Sequence, residues 1–255
     1  MKAAAFDLAH PADLGEAAAL LARPGARVLA GGQSLGPMLN LRLARPDMLV
    51  RITGIADLGA VAETADFVTI GACVTHAAIA DGRAPDPGLR VLERVAEGIA
   101  YRAVRNRGTI GGSLCHADPA ADWVTTLTAL GASALTSRGR AVALPGFVTG
   151  AFRTALEPGE LLTAVRVPRL PPGAGWGYVK ACRKPGEFAH AMAAVVVAPG
   201  KRRAVIGATG GQPIVLTGDA ASVDGARAAL SGHLDPVTVH MQTVVLARAL
   251  AQAGA

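Results

Sequence analysis

Apolar and polar positions divide the chain into short elements. Residues 12–22 follow Pro11 and carry Asp13 with Glu16 three positions on, the capping-box spacing that opens an alanine/leucine helix. Residues 27–30 form a short apolar strand that runs into Gly31-Gly32-Gln33-Ser34, and residues 48–52 read as a second strand. Residues 67–72 predict a strand, Thr75 caps a short helix, and apolar positions 89, 92, 95, 96 and 99 recur at helical spacing. Asp118 is placed to cap a helix over 119–130, with Pro119 at its first position. Residues 132–137 and 140–144 flank Arg138-Gly139 as a hairpin, and 161–167 alternate as a strand.

Pro168, Pro171, Pro172, Gly173 and Gly175 crowd into one stretch, which marks 168–175 as a linker. Beyond it strands are expected at 177–182, 192–198, 204–208 and 214–217, followed by helices at 223–230 and 237–251, the latter opening at Asp235-Pro236. A run of strands followed by helices suggests an α+β unit. A length of 255 residues agrees with roughly two domains.

Composition narrows the chemistry. The chain is 51% hydrophobic and 17% charged, with three cysteines, Cys73, Cys115 and Cys182, too far apart to ligate a zinc ion, form a CxxC redox site or hold an iron–sulfur cluster. Sparse, odd cysteines fit a reducing compartment. The net charge of +6 comes from scattered arginines that never interleave with the two Trp, two Tyr and five Phe, which argues against nucleic acid. Arg105 and Arg107 stand out because a glycine pair follows them closely. The longest apolar stretch, residues 191–199, is well short of the ~18 residues that span a bilayer, and Asp7, His10, Asp13 and Glu16 interrupt any secretory signal. The expected location is the cytoplasm.

Of three Gly-Gly pairs, two follow apolar strand-like runs and carry polar followers: Gly31-Gly32 with Gln33-Ser34, and Gly111-Gly112 with Ser113. Adjacent glycines let successive N–H groups converge and let a phosphate approach the main chain. Two such loops could cradle one pyrophosphate from two sides. Neither fits the Rossmann or P-loop pattern. Gly210-Gly211 lacks this context and reads as an ordinary turn.

Residues 30–35 (AGGQSL), 40–46 (NLRLARP), 69–72 (TIGA), 105–113 (RNRGTIGGS) and 116–122 (HADPAAD) resemble the FAD-binding medium subunit of the molybdenum hydroxylases, the carbon monoxide dehydrogenase and xanthine dehydrogenase family. Residues 160–168, 180–183 and 186–189 are similar to its later motifs in order, so the resemblance runs the length of the chain. It implies a two-lobed, PCMH-type, vanillyl-alcohol oxidase-like FAD domain over 1–170, with lobes at about 1–55 and 56–170. A small α/β C-terminal domain of the carbon monoxide dehydrogenase flavoprotein type would occupy 176–255.

Carried over by position, Val28, Leu29, Ala30, Gly31, Gly32, Gln33, Ser34 and Leu35 would bind the FAD pyrophosphate and adjoining groups together with Thr109, Ile110, Gly111, Gly112 and Ser113. Asp122, Leu162 and Lys180 match further flavin-contacting positions. The residues alone leave plainer readings open: Asp122 favouring a helix dipole, Leu162 a core strand residue, Lys180 an exposed strand lysine. His116 and Asp118 read as structural, and no catalytic or metal-binding residue is expected.

The resemblance also implies partners: a large molybdopterin subunit and a small [2Fe–2S] subunit, in a dimer of heterotrimers. FAD would take electrons from the clusters and pass them to NAD, a quinone or oxygen. A stand-alone flavin oxidoreductase of the same fold, or a nucleotide-binding assembly protein without electron transfer, are the rival readings.

Overall fold

The computed structural model describes residues 2–255 and is built on three main sheets. The first is parallel, and comprises β1 (Asp7–Ala9), β2 (Ala26–Leu29) and β3 (Met48–Arg51) in the order β1-β3-β2, interleaved with α1 (Leu14–Leu21) and α2 (Leu35–Asn40). Asp13 caps α1 as expected, its Oδ1 accepting from Glu16 N at 2.8 Å, but the reciprocal bond of a capping box falls one residue earlier, Glu16 Oε2 accepting from Ala12 N at 2.8 Å. A parallel sheet needs cover on both faces. Here Val50 joins the same core as Ala17 of α1, while Leu49 packs with Leu39 of α2.

The second sheet is antiparallel, in the order β4-β5-β10-β6-β7. Its strands are β4 (Val61–Glu63), β5 (Phe67–Gly71), β6 (Ser133–Thr136), β7 (Ala141–Ala143) and, after the small ribbon of β8 (Val148–Gly150) and β9 (Arg153–Thr154), β10 (Leu162–Pro168). Between β5 and β6 run α3 (His76–Ala80), α4 (Val91–Glu97), α5 (Arg102–Arg105), α6 (Ile110–His116) and α7 (Asp122–Ala129), and α8 (Leu144–Phe147) follows β7. The expected hairpin is present, with Ser133 opposite Ala143 and Gly139 at φ +74°.

The third sheet is the antiparallel meander β11 (Gly175–Ala181), β12 (Ala191–Ala198), β13 (Lys201–Gly207) and β14 (Ile214–Thr217), followed by α9 (Val223–Leu230) and α10 (Pro236–Gln252), which is the α+β order read from sequence. One face packs on the wholly buried α7, through Trp176, Ala194 and Val205. The other packs under α9 and α10. Helix α10 lies against β11 main chain to main chain: a Cβ on Gly175 would stand 1.9 Å from Ala253 O, and one on Gly177 1.9 Å from Ala249 O.

Three expectations are corrected. The helix at 89–99 is confined to Val91–Glu97, because Gly88, Leu89 and Arg90 have φ of +130°, +60° and +53°. The helix expected from Pro119 begins at Asp122. Asp118 closes a turn instead, accepting from Ala120 N at 2.8 Å, and Pro119 O is taken by Ala208 N at 2.9 Å, which removes the carbonyl a longer helix needs. Finally, the second glycine pair is not a loop but the first turn of α6. No helix among the described residues is long and apolar enough to cross a membrane.

Candidate functional site

Both glycine pairs meet in one place, and their glycines serve a different purpose from the one read in sequence. After β2 the chain turns at residues 30–34 into α2, and a Cβ on Gly31 would lie 2.0 Å from Arg107 O. Across the junction a Cβ on Gly111 would lie 2.5 Å from Ala72 Cβ and 2.6 Å from Ala72 O. At both positions the space freed by the missing side chain is filled by protein rather than left for a phosphate. Gly32 is glycine for its backbone, with φ at +72°.

Hydrogen bonding also separates the two pairs. In α6, Ile110 N donates to Val74 O, Gly111 N to Ala72 O at 2.9 Å and Gly112 N to the Thr109 cap hydroxyl at 3.0 Å, so these amides are spent. The amides of residues 31–35 have no acceptor among the described residues. Consecutive unpaired N–H groups in a glycine turn form an anion-binding concavity. The first loop therefore offers main-chain donors, and the second offers the Thr109 and Ser113 hydroxyls.

Between them lies a cleft of ≈ 230 Å³ reached by Gly31 and Thr109 and walled by Arg51, Thr53, Cys73, Thr75, Asn106 and Arg107. Its volume is below the roughly 300–1,000 Å³ of a drug-sized pocket, enough for part of a dinucleotide. Two guanidiniums, two further hydroxyls and no carboxylate line it, a donor set that fits a pyrophosphate. Arg51 is steadied by its Nε donating to Thr53 Oγ1 at 3.1 Å. Burial pushes the Cys73 thiol up to about 11, so it stays protonated and is not a nucleophile.

Arg107 belongs to the cleft, whereas Arg105 turns away: its Nη1 donates to Ile99 O at 3.0 Å and Ala100 O at 2.7 Å. His76, beside Thr75, is buried and accepts from Trp123 Nε1 at Nδ1, 3.1 Å away. Burial, reinforced by the Arg105 charge, lowers its pKa to about 4, so the imidazole is neutral.

A second cluster lies where β11 crosses the ends of two helices. Tyr178 and Lys180, two residues apart on one face of β11, both reach Asp122 Oδ1: the tyrosine hydroxyl at 2.7 Å and the ammonium at 2.7 Å. Lys180 Nζ also donates to Gly98 O, the C-cap of α4, at 2.9 Å. Asp122 is the first residue of α7, so the anion sits at a helix N-terminus and the cation at a helix C-terminus, both complementing the dipoles. The two side chains are 7% and 9% exposed, so Lys180 is not the exposed strand lysine of the plainer reading. Asp122 Oδ2 accepts from none of the described residues. Burial, then the Asp122 charge, raises the Tyr178 pKa well above its ordinary value, so the phenol remains a donor.

The other expected positions divide between cleft and core. Val28 is partly exposed on β2, Leu29 and Leu35 pack beneath α2, and Ala30 lies against α6, 3.6 Å from a Cβ on Gly112. Gln33 Nε2 donates to Gly31 O at 3.1 Å, pinning the turn. Leu162 is a core residue at the bulged start of β10, and it does not line the cleft. Arg51, Thr53, Thr75, Asn106 and Tyr178 were not anticipated. They come from separate elements, and only Thr75, as a helix cap, and Asn106, within the 105–113 segment, left a trace in sequence.

The chain as a whole is similar to known proteins. Residues 4–170 match the model of the FAD binding domain in molybdopterin dehydrogenase. The medium chain of carbon monoxide dehydrogenase from Afipia carboxidovorans is 41% identical over 197 residues, covering 75% of this chain and 68% of that one. The 6-hydroxypseudooxynicotine dehydrogenase complex subunit alpha of Paenarthrobacter nicotinovorans is 38% identical over 202 residues, covering 77% and 68%. Among solved structures, carbon monoxide dehydrogenase from Hydrogenophaga pseudoflava superposes with a TM-score of 0.90 at 32% identity, over 100% of this chain and 99% of that one. Quinoline 2-oxidoreductase from Pseudomonas putida 86 gives 0.86 at 31%, over 99% and 98%.

Proposed function

Given that the chain belongs to the FAD-binding medium subunits of the molybdenum hydroxylases, we propose that its cleft holds the FAD pyrophosphate and that the subunit relays electrons from a partner's [2Fe–2S] clusters to an external acceptor. The observation that carries the site is the row of unpaired amides at residues 31–35 beside a cleft lined by Arg51 and Arg107. These amides and guanidiniums neutralise the diphosphate. The Thr109 and Ser113 hydroxyls donate from the α6 side. Asp122 Oδ2 accepts a ribityl or ribose hydroxyl, and Lys180 places a positive charge nearby. Leu162 contributes main chain to the adenine end. FAD, when bound, supplies the ability to take up and release two electrons; the chain's own contribution is position, charge and exclusion of water.

This reading divides the chain into an FAD-binding unit over 1–170, with lobes at about 1–55 and 56–170, and a C-terminal unit over 176–255; the family match over 4–170 supports the first of these. Relatives named as a medium chain and as a subunit of a dehydrogenase complex support partner subunits; the partners of this reading are a large molybdopterin subunit and a small [2Fe–2S] subunit, in a cytoplasmic dimer of heterotrimers, with NAD, a quinone or oxygen as acceptor.

Purification under native conditions tests this. The expected preparation is yellow, its flavin absorbance bleached by dithionite, and it brings down a molybdenum-containing and an iron–sulfur polypeptide whose reduced clusters lose electrons to the flavin. A colourless complex would overturn the cofactor site. A flavin-loaded monomer that turns over a small reductant without partners would overturn the relay.

A further inference from the structure

A second hollow lies outside this site, at the opposite end of α4. It measures ≈ 480 Å³ and is bounded by Leu89, Arg90 and Arg94, by the chain around Trp176, and by Gln252 at the end of α10. That volume is within the roughly 300–1,000 Å³ of small-molecule sites. We propose that this hollow binds a small organic anion of the nucleoside-monophosphate type, a phosphate carried on a flat ring.

Arg90 and Arg94 supply the anion-binding end. Arg90 engages Glu93 Oε2 through Nε alone, at 2.6 Å, and its two Nη groups have no acceptor among the described residues. The Arg94 guanidinium has no hydrogen-bond or ion-pair partner among them either. Arg90, the residue before α4, and Arg94 within it both line the hollow, where they can chelate a phosphate as a pair of forks. The carboxylates near Arg90 are Glu93, Glu97 and Asp86. Glu93 is paired with Arg90, and Asp86 is consumed by Gly88 N, Val91 N and Leu92 N at 2.9, 3.1 and 2.8 Å.

Trp176 and the exposed Leu89 form the apolar wall against which a ring would lie. Gln252 Oε1 is fixed by Tyr178 N at 3.0 Å, which leaves its amide NH₂ to donate into the hollow. Leu89 and Arg90 are presented by a backbone that residues with side chains rarely adopt, both left-handed, and the three bonds to Asp86 hold it there. Such conformations persist where the surroundings fix them, and here they aim both side chains at the same space.

The hollow is distinct from the flavin-facing cluster. Arg90 precedes helix α4 and Arg94 lies midway along it, while the helix is closed by Gly98, whose carbonyl binds Lys180. Along β11, Trp176 and Lys180 are four residues apart, about 13 Å. A ligand at one end therefore leaves the other free.

The test uses the full chain loaded with FAD, so that adenine nucleotides cannot occupy the flavin site. Equilibrium dialysis at low salt measures binding of AMP in one arm and inorganic phosphate in another. AMP should bind saturably and more tightly than phosphate, and Trp emission should change in step. Arg90→Gln/Arg94→Gln should weaken AMP at least about tenfold through lost charged hydrogen bonds while leaving flavin absorbance unchanged. Trp176→Phe should remove the emission change and retain AMP binding. Absence of saturable binding, AMP no tighter than phosphate, or a double variant that binds AMP as before would each overturn the proposal.

Discussion

Lys180 and Asp122 form an ion pair at 2.7 Å that joins the third sheet to the start of α7, with both side chains almost wholly removed from water. Removing one partner of such a pair strands the other charge. Lys180→Met is expected to lower the free energy of unfolding by about 3–5 kcal/mol in a urea titration, and Lys180→Met/Asp122→Asn to recover a substantial part of it. A double variant no more stable than the single one would show that Lys180 contributes through its contact with Gly98 instead.

The two glycines of the first pair should respond differently to the same substitution. A methyl group at 31 collides with a main-chain carbonyl, whereas at 32 it meets only Leu29 Cδ1 at 3.3 Å and carries the penalty of φ +72°. Gly32→Ala is expected to cost roughly 1–2 kcal/mol and to fold. Gly31→Ala must separate the loop from residues 107–108, and should lose both flavin retention and several degrees of thermal stability. Equal melting temperatures would count against the contact.

At the second pair, stability and cofactor affinity separate. Gly111→Ala forces a Cβ into Ala72, an overpacking that typically costs about 1–3 kcal/mol, and should be seen first in the melting curve. Ser113→Ala removes only a hydroxyl with no protein partner. It should leave the melting curve of the flavin-free chain unchanged and weaken FAD by about 1.5–3 kcal/mol, measured by flavin fluorescence, if that hydroxyl donates to phosphate. Undiminished affinity would take Ser113 out of the site.

Acid should destabilise the fold in two separable windows. His76 keeps a neutral imidazole down to about pH 4, while the unfolded chain binds that proton from about 6.5 downward. The unfolded state therefore holds more protons between the two values, and stability falls as pH drops through this range. Glu160, buried against Arg140, is held down to about 2 from 4.5, chiefly by the Arg140 hydrogen bonds. Its stabilising effect is complete above 4.5 and is lost as pH falls toward 2. In denaturation midpoints measured against pH, His76→Gln should flatten the upper window and Glu160→Gln the lower one. A variant that changed the other's window would contradict the assignment.

Local signals were legible in the residues, and contacts between distant elements were not. The Asp13 cap and the hairpin at Arg138-Gly139 are decided within a few residues, and they form where expected. Helix α6 escaped because two glycines in its first turn lower helix propensity, and the bonds from Ile110 and Gly111 to residues 74 and 72, which hold that turn, come from β5 and its exit. The start of α7 was misplaced because Pro119 O is used by Ala208, far along the chain. The glycine pairs come together as the sequence suggested, but not to make room for a phosphate. They allow two main-chain segments to touch, and the cleft that results is walled by Arg51, Thr53 and Thr75, which carry no shared motif.

The contact of α10 with β11 through Gly175 and Gly177 has a reach beyond the C-terminal core. Successive residues of a strand point to opposite faces, so the glycines that touch α10 alternate with Trp176, Tyr178 and Lys180 on the side toward α4 and α7. The depth to which Lys180 extends toward Asp122 is thus gauged from behind, by the backbone of a helix that hydrogen-bonds to neither side chain. A methyl group at 177 would act like a shim, lifting the strand off its support and shifting the ammonium relative to the carboxylate without altering any side chain in the cluster.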